Sequence, residues 1–193
     1  FKKDFGTYEI GNTVYIKSSF RLDEQLWNCR FELIKNNSIN FFNDKNKLNA
    51  LLTICSLIEL SLPKSSPQKK IYNKTINLIK ELVSEEWIAK YILWELFLLS
   101  ELGYGLDLNK CAVSGKKNDL IYISPKSGKA VSKIEGEKYK NKLFYLPEFL
   151  INNNIKPSEN SLKEGILVTG FFFEKFLKRN NKKLPFYRKS ILT

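Results

Sequence analysis

The sequence predicts an α+β fold that is mainly α, with an antiparallel β segment followed by a helical bundle that carries a small β-hairpin insert. Three observations predict it: apolar residues alternate between positions 14 and 33, they recur at spacings of three and four after position 44, and a nearly continuous apolar segment occupies 87–102. Hydrophobic residues make up 43% of the 193, which is enough for a core.

The N-terminal segment predicts a half-buried β-hairpin. One face of it is apolar and comprises Val14, Ile16, Phe20, Leu22, Trp27, Cys29, Phe31 and Leu33. The other face is mostly polar and comprises Tyr15, Lys17, Ser19, Arg21, Asn28, Arg30 and Glu32. A tight turn at Asp23-Glu24 joins the two strands, and a polar connector at 36–43 is the only plausible domain boundary.

Three helices then follow with short connections, so they are expected to pack as neighbours. The first spans 44–60, with the stripe Leu48, Leu51, Leu52, Cys55 and Ile58. The second begins with Ser66 as N-cap and Pro67 at N1, with the stripe Ile71, Thr75, Leu78, Ile79 and Leu82. The third runs from N-cap Ser84 to Gly103 at C′, and it is apolar nearly all round, as a helix in the middle of a bundle is.

The remaining elements are a hairpin and a long helix. The hairpin strands are 121–124 and 129–132, around a Pro- and Gly-containing turn at 125–128; a net-basic stretch at 133–142 and a short helix opening at Pro147 follow. A capping box at 161–164 predicts a helix with the core stripe Leu162, Ile166, Thr169, Gly170, Phe173, Phe176 and Leu177. Gly170 costs about 1 kcal/mol relative to Ala inside a helix, which predicts a close contact with another helix there.

The charge balance favours a polyanionic partner. The chain has 32 Lys and Arg against 20 Asp and Glu, a net charge of +12. An AT-rich genome is the alternative source of so many lysines. Tyr15, Lys17, Arg21 and Arg30 share the open face of the first hairpin, where cations would bind phosphates and an aromatic ring would stack on a base. The alternative is that this face is only solvated. Lys126 and Lys129 of the second hairpin are two further candidate residues for binding nucleic acid.

The sequence does not predict an enzyme. The chain has no His, which excludes an ordinary Ser/His or Cys/His nucleophile pair. Neither Gly103-x-Gly105 nor Gly115-Lys116 has the spacing of a phosphate-binding loop. Three cysteines, Cys29, Cys55 and Cys111, lie far apart, which argues against a disulfide framework and fits a reducing cytoplasm.

Five motifs in order carry a resemblance to a known family. They are LGYGLDL at 102–108, Cys111-x-x-x-Gly115, DLIYISPKSGKAVS at 119–132, LVTGFFFE at 167–174 and KLP at 183–185. Together they resemble RecO, the bacterial recombination mediator of DNA repair. The resemblance implies an OB-fold remnant at 1–36 and a helical C-terminal domain at 44–193, with a hairpin loop at 103–132. Because the sequence has no Met and so few residues precede the helices, the first OB-fold strands are expected to be missing from it.

The resemblance also implies a function. A RecO-like protein binds single- and double-stranded DNA, anneals complementary strands and, with RecR, loads RecA onto strands coated with single-strand binding protein (SSB). Its expected location is cytoplasmic and nucleoid-associated, away from membranes. The alternative is an adaptor that docks acidic peptide tails without binding DNA itself.

Two finer expectations concern metal and peptide. Zinc-bearing relatives have Cys-x-x-Cys where this chain has Cys111-Ala112-Val113-Ser114, and their second Cys pair is missing here, so we expect no metal, no cofactor and folding that does not depend on zinc. Cys111 is then a small buried hydrophobe.

For an SSB tail, the expected slot is lined and rimmed by Phe172, Phe176, Arg179, Lys183, Tyr187 and Arg188. The alternative is that Phe176 is buried in the core and the cations are only solvated.

Overall fold

The computed structural model describes residue 6 and residues 8–19, 28–152 and 154–191. Its strands are β1 (Thr13–Ser19), β2 (Asn28–Lys35), β3 (Leu120–Ile123), β4 (Ala130–Ser132) and β5 (Phe144–Tyr145). Its α-helices are α1 (Lys45–Ser61), α2 (Lys69–Glu81), α3 (Trp87–Glu101), α4 (Lys133–Gly136) and α5 (Glu159–Arg179). Short 3₁₀ helices occupy Ser38–Phe41, Glu137–Lys142, Glu148–Leu150 and Phe186–Ser190. The fold is therefore mainly helical with antiparallel sheets, which is the α+β class that the sequence predicts.

Strands β1 and β2 form the predicted antiparallel hairpin, with Ile16 opposite Phe31 and Lys17 opposite Arg30. The predicted half-burial of its apolar face holds for Val14 and Cys29, whereas Ile16 is 53% exposed, Phe31 38% and Leu33 41%. Tyr8 packs edge-to-face with Phe31, at 5.6 Å between ring centroids. The predicted turn and its neighbours at 20–27, including Phe20, Arg21, Leu22 and Trp27, lie outside the described residues.

The connector after the hairpin is packed against the helical core. Phe41, in its 3₁₀ turn, is 1% exposed. The side-chain oxygen of Asn12 accepts hydrogen bonds from the backbone N–H groups of Asn37 (3.0 Å) and Ser38 (3.2 Å). Asn37 in turn donates to the carbonyl of Gly11 at 2.9 Å, so the strand and the connector hold each other in place.

Helix α1 confirms the predicted span within one residue, and Asp44 caps it by accepting from the backbone of Asn46 and Lys47. Its core stripe differs from the predicted one: Leu51, Ile54 and Leu57 are fully buried, whereas Cys55 is only half-buried. Burial raises the pKa of the Cys55 thiol to about 11. Helix α2 buries all five residues of its predicted stripe, but it begins at Lys69 behind Gln68. The predicted cap at Ser66 is wrong.

Helix α3 lies between α2 and α5, as its all-round apolar surface predicts. Gly103 follows it with φ +79°, and the N–H of Tyr104 bonds to the carbonyl of Leu99 at 2.8 Å, which together close the predicted C-terminus. The N-terminus is two residues later than predicted: Glu86 occupies the cap position, and the Ser84 hydroxyl bonds back to the carbonyl of Glu81. One fully buried residue of α3, Glu95, is charged.

Helix α5 begins before the predicted capping box, because Ser158 accepts from the N–H of Ser161 at 3.2 Å and acts as the N-cap. Its predicted stripe is buried from Thr169 onward, and Val168 and Phe172 join it. Strands β3 and β4 confirm the second hairpin, and β5 pairs with β3 as a third strand that the sequence pattern did not predict. None of the described helices combines the length and apolar character that crossing a membrane requires.

Candidate nucleic-acid interface

The polar face of the first hairpin is exposed and carries three of its four candidate residues. Tyr15 is 55% exposed, and the side chains of Lys17 and Arg30 are open to solvent. Lys17 and Arg30 are direct cross-strand partners, and Tyr15 pairs with Glu32 in the same register, so all four side chains share a face. This face can present two cations beside a phenol ring. Arg21 lies outside the described residues.

Lys126 and Lys129 are on a different element, the turn between β3 and β4, and both are exposed. The turn is fixed in place, since Gly128 adopts φ +70° and its N–H bonds to the carbonyl of Ser124 at 2.8 Å. The Lys175 ammonium of α5 donates to the carbonyls of Pro125 (3.4 Å) and Lys126 (3.1 Å). The structure therefore presents these two lysines as a separate basic site.

The six residues expected to form a peptide slot do not come together as one. Phe172 is 4% exposed and Phe176 is 8% exposed, and Phe176 packs edge-on against Tyr104 at 5.1 Å. Arg179 donates to the Tyr104 hydroxyl at 2.8 Å and lies over its ring. Lys183 and Tyr187 remain exposed. The slot as predicted has no open floor because its two phenylalanines belong to the core.

Arg188 is the clearest correction, because it is 6% exposed and forms an ion pair with the fully buried Glu95. Its Nε donates to Glu95 Oε1 at 2.7 Å and its Nη2 to Oε2 at 2.8 Å, a two-pronged pairing. The same nitrogen also donates to the carbonyl of Ile166 at 2.7 Å. The Nε and Nη2 donors of Arg188 are therefore engaged inside the protein and are not available to a peptide in the predicted slot.

Two hydroxyls complete this buried network. Tyr91 donates to Glu95 Oε1 at 2.6 Å, and the Thr169 hydroxyl lies against Oε2. Burial first, and then the Glu95 carboxylate, raise the pKa of Tyr91 well above its ordinary value, so the phenol stays a donor. Burial disfavours the charged form of Arg188 and by itself would lower its pKa. The Glu95 carboxylate has the larger effect and raises the pKa of Arg188 above its ordinary value. The network thus ties the C-terminal segment to α3 and α5.

Gly170 explains how the guanidinium reaches this position. A Cβ at residue 170 would lie 2.5 Å from Arg188 Nη1 and 3.1 Å from Cζ. A close contact is therefore present, but its partner differs from the prediction: the group in contact is the side chain of Arg188 in the C-terminal segment and not a packed α-helix.

An apolar cavity of about 410 Å³ lies beside this network, between α5, β5 and the C-terminal segment. Among its lining residues on α5, Leu167 is 60% exposed and Phe171 is 37% exposed, and Phe144 of β5 packs on Phe171 at 5.0 Å. Lys163 and Lys189 are also among its lining residues. No sequence pattern predicts this cavity, because Leu167 and Phe171 lie off the core stripe of α5.

The similarity of the chain to known proteins identifies its family. The family described as "Recombination protein O C terminal" matches residues 43–185. The chain belongs to the RecO family. It is 39% identical to the DNA repair protein RecO of Rickettsia canadensis over 94% of this chain and 75% of that protein. It is 37% identical to RecO of a Wolbachia strain from Drosophila simulans, over 96% of this chain and 81% of that protein.

A third RecO relative, from Rhodospirillum centenum, is 35% identical over 88% of this chain and 68% of that protein. All three are bacterial proteins named for DNA repair, and the name indicates no enzymatic activity. Membership in the family implies a role in recombination repair.

The residues around Cys111 of this RecO chain do not fit the zinc site that the resemblance implies for some family members. Cys111 is 2% exposed, and its Sγ accepts from the backbone N–H of Ser132 at 3.3 Å. Burial disfavours the thiolate, but hydrogen bonds from Ser114 and Ser132 outweigh it and lower the pKa of Cys111 to about 6. In the part of the chain that the structure describes, no group of three or more His, Cys, Asp or Glu side chains could hold a metal ion. Backbone pairing holds the loop, with the N–H of Cys111 bonded to Lys116 O at 2.7 Å.

We expect folding of this RecO chain to be independent of zinc. A structural zinc contributes about 10–16 kcal/mol in zinc-finger peptides, so removing one would unfold the loop. Here chelation should leave the melting temperature unchanged, and elemental analysis of the purified protein should find no stoichiometric zinc. A bound zinc together with unfolding in chelator would contradict this expectation.

Proposed function

We propose that this RecO chain is a non-catalytic mediator of recombination that binds single- and double-stranded DNA and anneals complementary strands. With RecR, it helps to load RecA onto strands coated with SSB. The observation that carries the proposal is the exposed face of β1 and β2, where Lys17 and Arg30 lie opposite each other beside Tyr15. Cations of this kind bind phosphates of any sequence, and an exposed ring stacks on an unpaired base.

Residues 1–36, which include the first hairpin, are proposed to be the C-terminal remnant of an OB-fold, with residues 44–193 forming the helical domain and its hairpin loop at 103–132. The open apolar face of Ile16, Phe31 and Leu33 supports this assignment. A two-stranded hairpin is marginal by itself, and an OB-fold covers such a face by curling five strands into a barrel. On this proposal, the apolar face packs into the barrel and the polar face with Lys17 and Arg30 stays open to DNA.

Replacing Lys17 and Arg30 with Ala should weaken binding to all single-strand sequences about equally. Each phosphate neutralised on a single strand contributes about 0.7 to the slope of log affinity against log salt, so losing two should flatten that slope by about 1.4. The measurement is fluorescence anisotropy of a labelled oligonucleotide with the full chain, titrated at several salt concentrations.

A matched control removes the same charge elsewhere. Lys64 precedes α2 and Lys80 lies on it, and both are exposed. Lys64→Ala/Lys80→Ala should leave the slope unchanged if the hairpin face is the binding site. Equal losses in both variants would mean that only net charge matters, and an unchanged slope in the hairpin variant would mean that its cations are only solvated.

The second candidate function is an adaptor for acidic peptide tails, and the cavity at Leu167 and Phe171 is the observation that favours it. According to the family resemblance, the tail of SSB ends in acidic residues that are followed by an apolar C-terminal residue with its free carboxylate. The cavity offers apolar walls, and its charged lining residues are three cations, Lys163, Arg188 and Lys189, against one acid, Glu174. A parent chain that produces no change in oligonucleotide anisotropy at low salt would favour this adaptor over the DNA-binding mediator.

A further inference from the structure

A groove on the second sheet is not used by the proposed hairpin interface. It has a volume of about 660 Å³ and lies between the loop after Cys111 and the segment that follows β4. Its rim is apolar and open: Val113 is 68% exposed, Ile134 80% and Tyr139 60%. Its size falls within the range of about 300–1,000 Å³ that small-molecule sites have, so one planar ring with its substituents fits inside.

The surface around this groove is strongly basic. Residues 110–119 and 133–142 hold seven lysines against three acids. Lys138 lines the groove itself. Lys116 and Lys117 are exposed at the end of the loop, and Lys142 is exposed at the end of the 3₁₀ helix. Glu137, one of the three acids, is already paired with Lys140 at 2.9 Å. The surplus of cations favours a ligand that carries several negative charges.

The lining of the groove favours a nucleobase over an acidic side chain. Ser124, Ser127 and Glu135 offer hydroxyl and carboxylate groups to the edge of a base. The carboxylate of Glu135 would repel the acidic residues of a peptide tail, whereas it can accept from the amino group of a base. An open tyrosine ring beside these groups can stack on any base, but only if that base is unpaired.

We propose that this groove is a second binding site for single-stranded nucleic acid. An unpaired base stacks on Tyr139, and the flanking phosphates lie over Lys116, Lys117, Lys138 and Lys142. This inference rests on the proposed DNA-binding function and deepens it: one strand lies on the first hairpin and another on the second sheet. Two strand sites on one chain would hold two unpaired segments at once, as annealing requires.

The test is photocrosslinking of the full chain to an oligothymidylate that contains 5-iodouracil, followed by peptide mapping. We expect an adduct at Tyr139, retained in Tyr139→Phe at the residue that replaces it. The affinity of the groove for the oligothymidylate should fall at least about 5-fold in Tyr139→Ala, because the substitution removes the ring on which one base stacks. A duplex of the same sequence should give no adduct there.

Tyr72 provides the matched control, because it is 58% exposed and lies on α2. Tyr72→Ala should leave both the Tyr139 adduct and the affinity unchanged. If the parent chain binds the oligonucleotide but Tyr139 is not crosslinked, or if an acidic peptide added before irradiation prevents the Tyr139 adduct while the first hairpin stays occupied, this inference is wrong and the proposed function stands. If the parent chain binds no oligonucleotide at low salt, both are wrong.

Discussion

Replacing Glu95 with Ala should lower the free energy of unfolding by about 3–5 kcal/mol, the usual cost of removing one partner of a buried ion pair. The substitution leaves the guanidinium of Arg188 in the interior with no anion beside it. It also removes the acceptor of the Tyr91 hydroxyl, which donates to Glu95 at 2.6 Å. The measurement is urea unfolding of the full chain followed by circular dichroism.

A surface ion pair gives the matched control. Lys70 and Glu101 approach to 2.6 Å, but the Lys70 side chain is 72% exposed. Lys70→Ala should therefore change stability by less than about 1 kcal/mol. Equal effects of Glu95→Ala and Lys70→Ala would contradict the role assigned to the buried pair.

A double variant separates two contributions to the free energy of unfolding: the cost of leaving one buried charge unpaired and the net contribution of the ion pair. Glu95→Leu with Arg188→Met replaces both ions by apolar groups, which is often nearly neutral where a single removal is costly. We expect the double variant to be more stable than either single variant. A simple sum of the two single losses would mean that Glu95 and Arg188 act independently.

Local patterns predict the elements of this fold, because they report which face of a segment is apolar. The five buried positions of α2 and the positive φ of Gly103 follow directly from spacing and residue type. The helix N-termini were harder to predict, since several neighbouring residues can serve as caps. Ser158 and Ser161 lie three positions apart, and only the fold decides that Ser158 accepts the bond.

The site residues were predicted less well than the elements, because their burial depends on where the C-terminal segment folds back. Arg188 and Glu95 are 93 positions apart in the sequence, so no periodicity joins them. A signal was present nonetheless: a glutamate in the middle of an apolar helix needs a cation or a set of donors when it is buried. The first hairpin shows the opposite case. Its alternation predicts two faces correctly, but no local pattern says what covers the apolar one.

Gly170→Ala should destabilise the protein by about 1–3 kcal/mol, the range expected for overpacking a well-filled interior. Elsewhere in a helix the same change would stabilise by about 1 kcal/mol. Here the new methyl group would lie 2.5 Å from Arg188 Nη1, and the guanidinium cannot move away without stretching its bonds to Glu95. The check is whether Gly170→Ala lowers or raises the urea midpoint in each of two backgrounds. In the parent chain Gly170→Ala should lower the urea midpoint, and in Glu95→Leu/Arg188→Ala, where the space is empty, it should raise it. Destabilisation of equal size in both backgrounds would show that α5 needs the glycine for a reason other than Arg188.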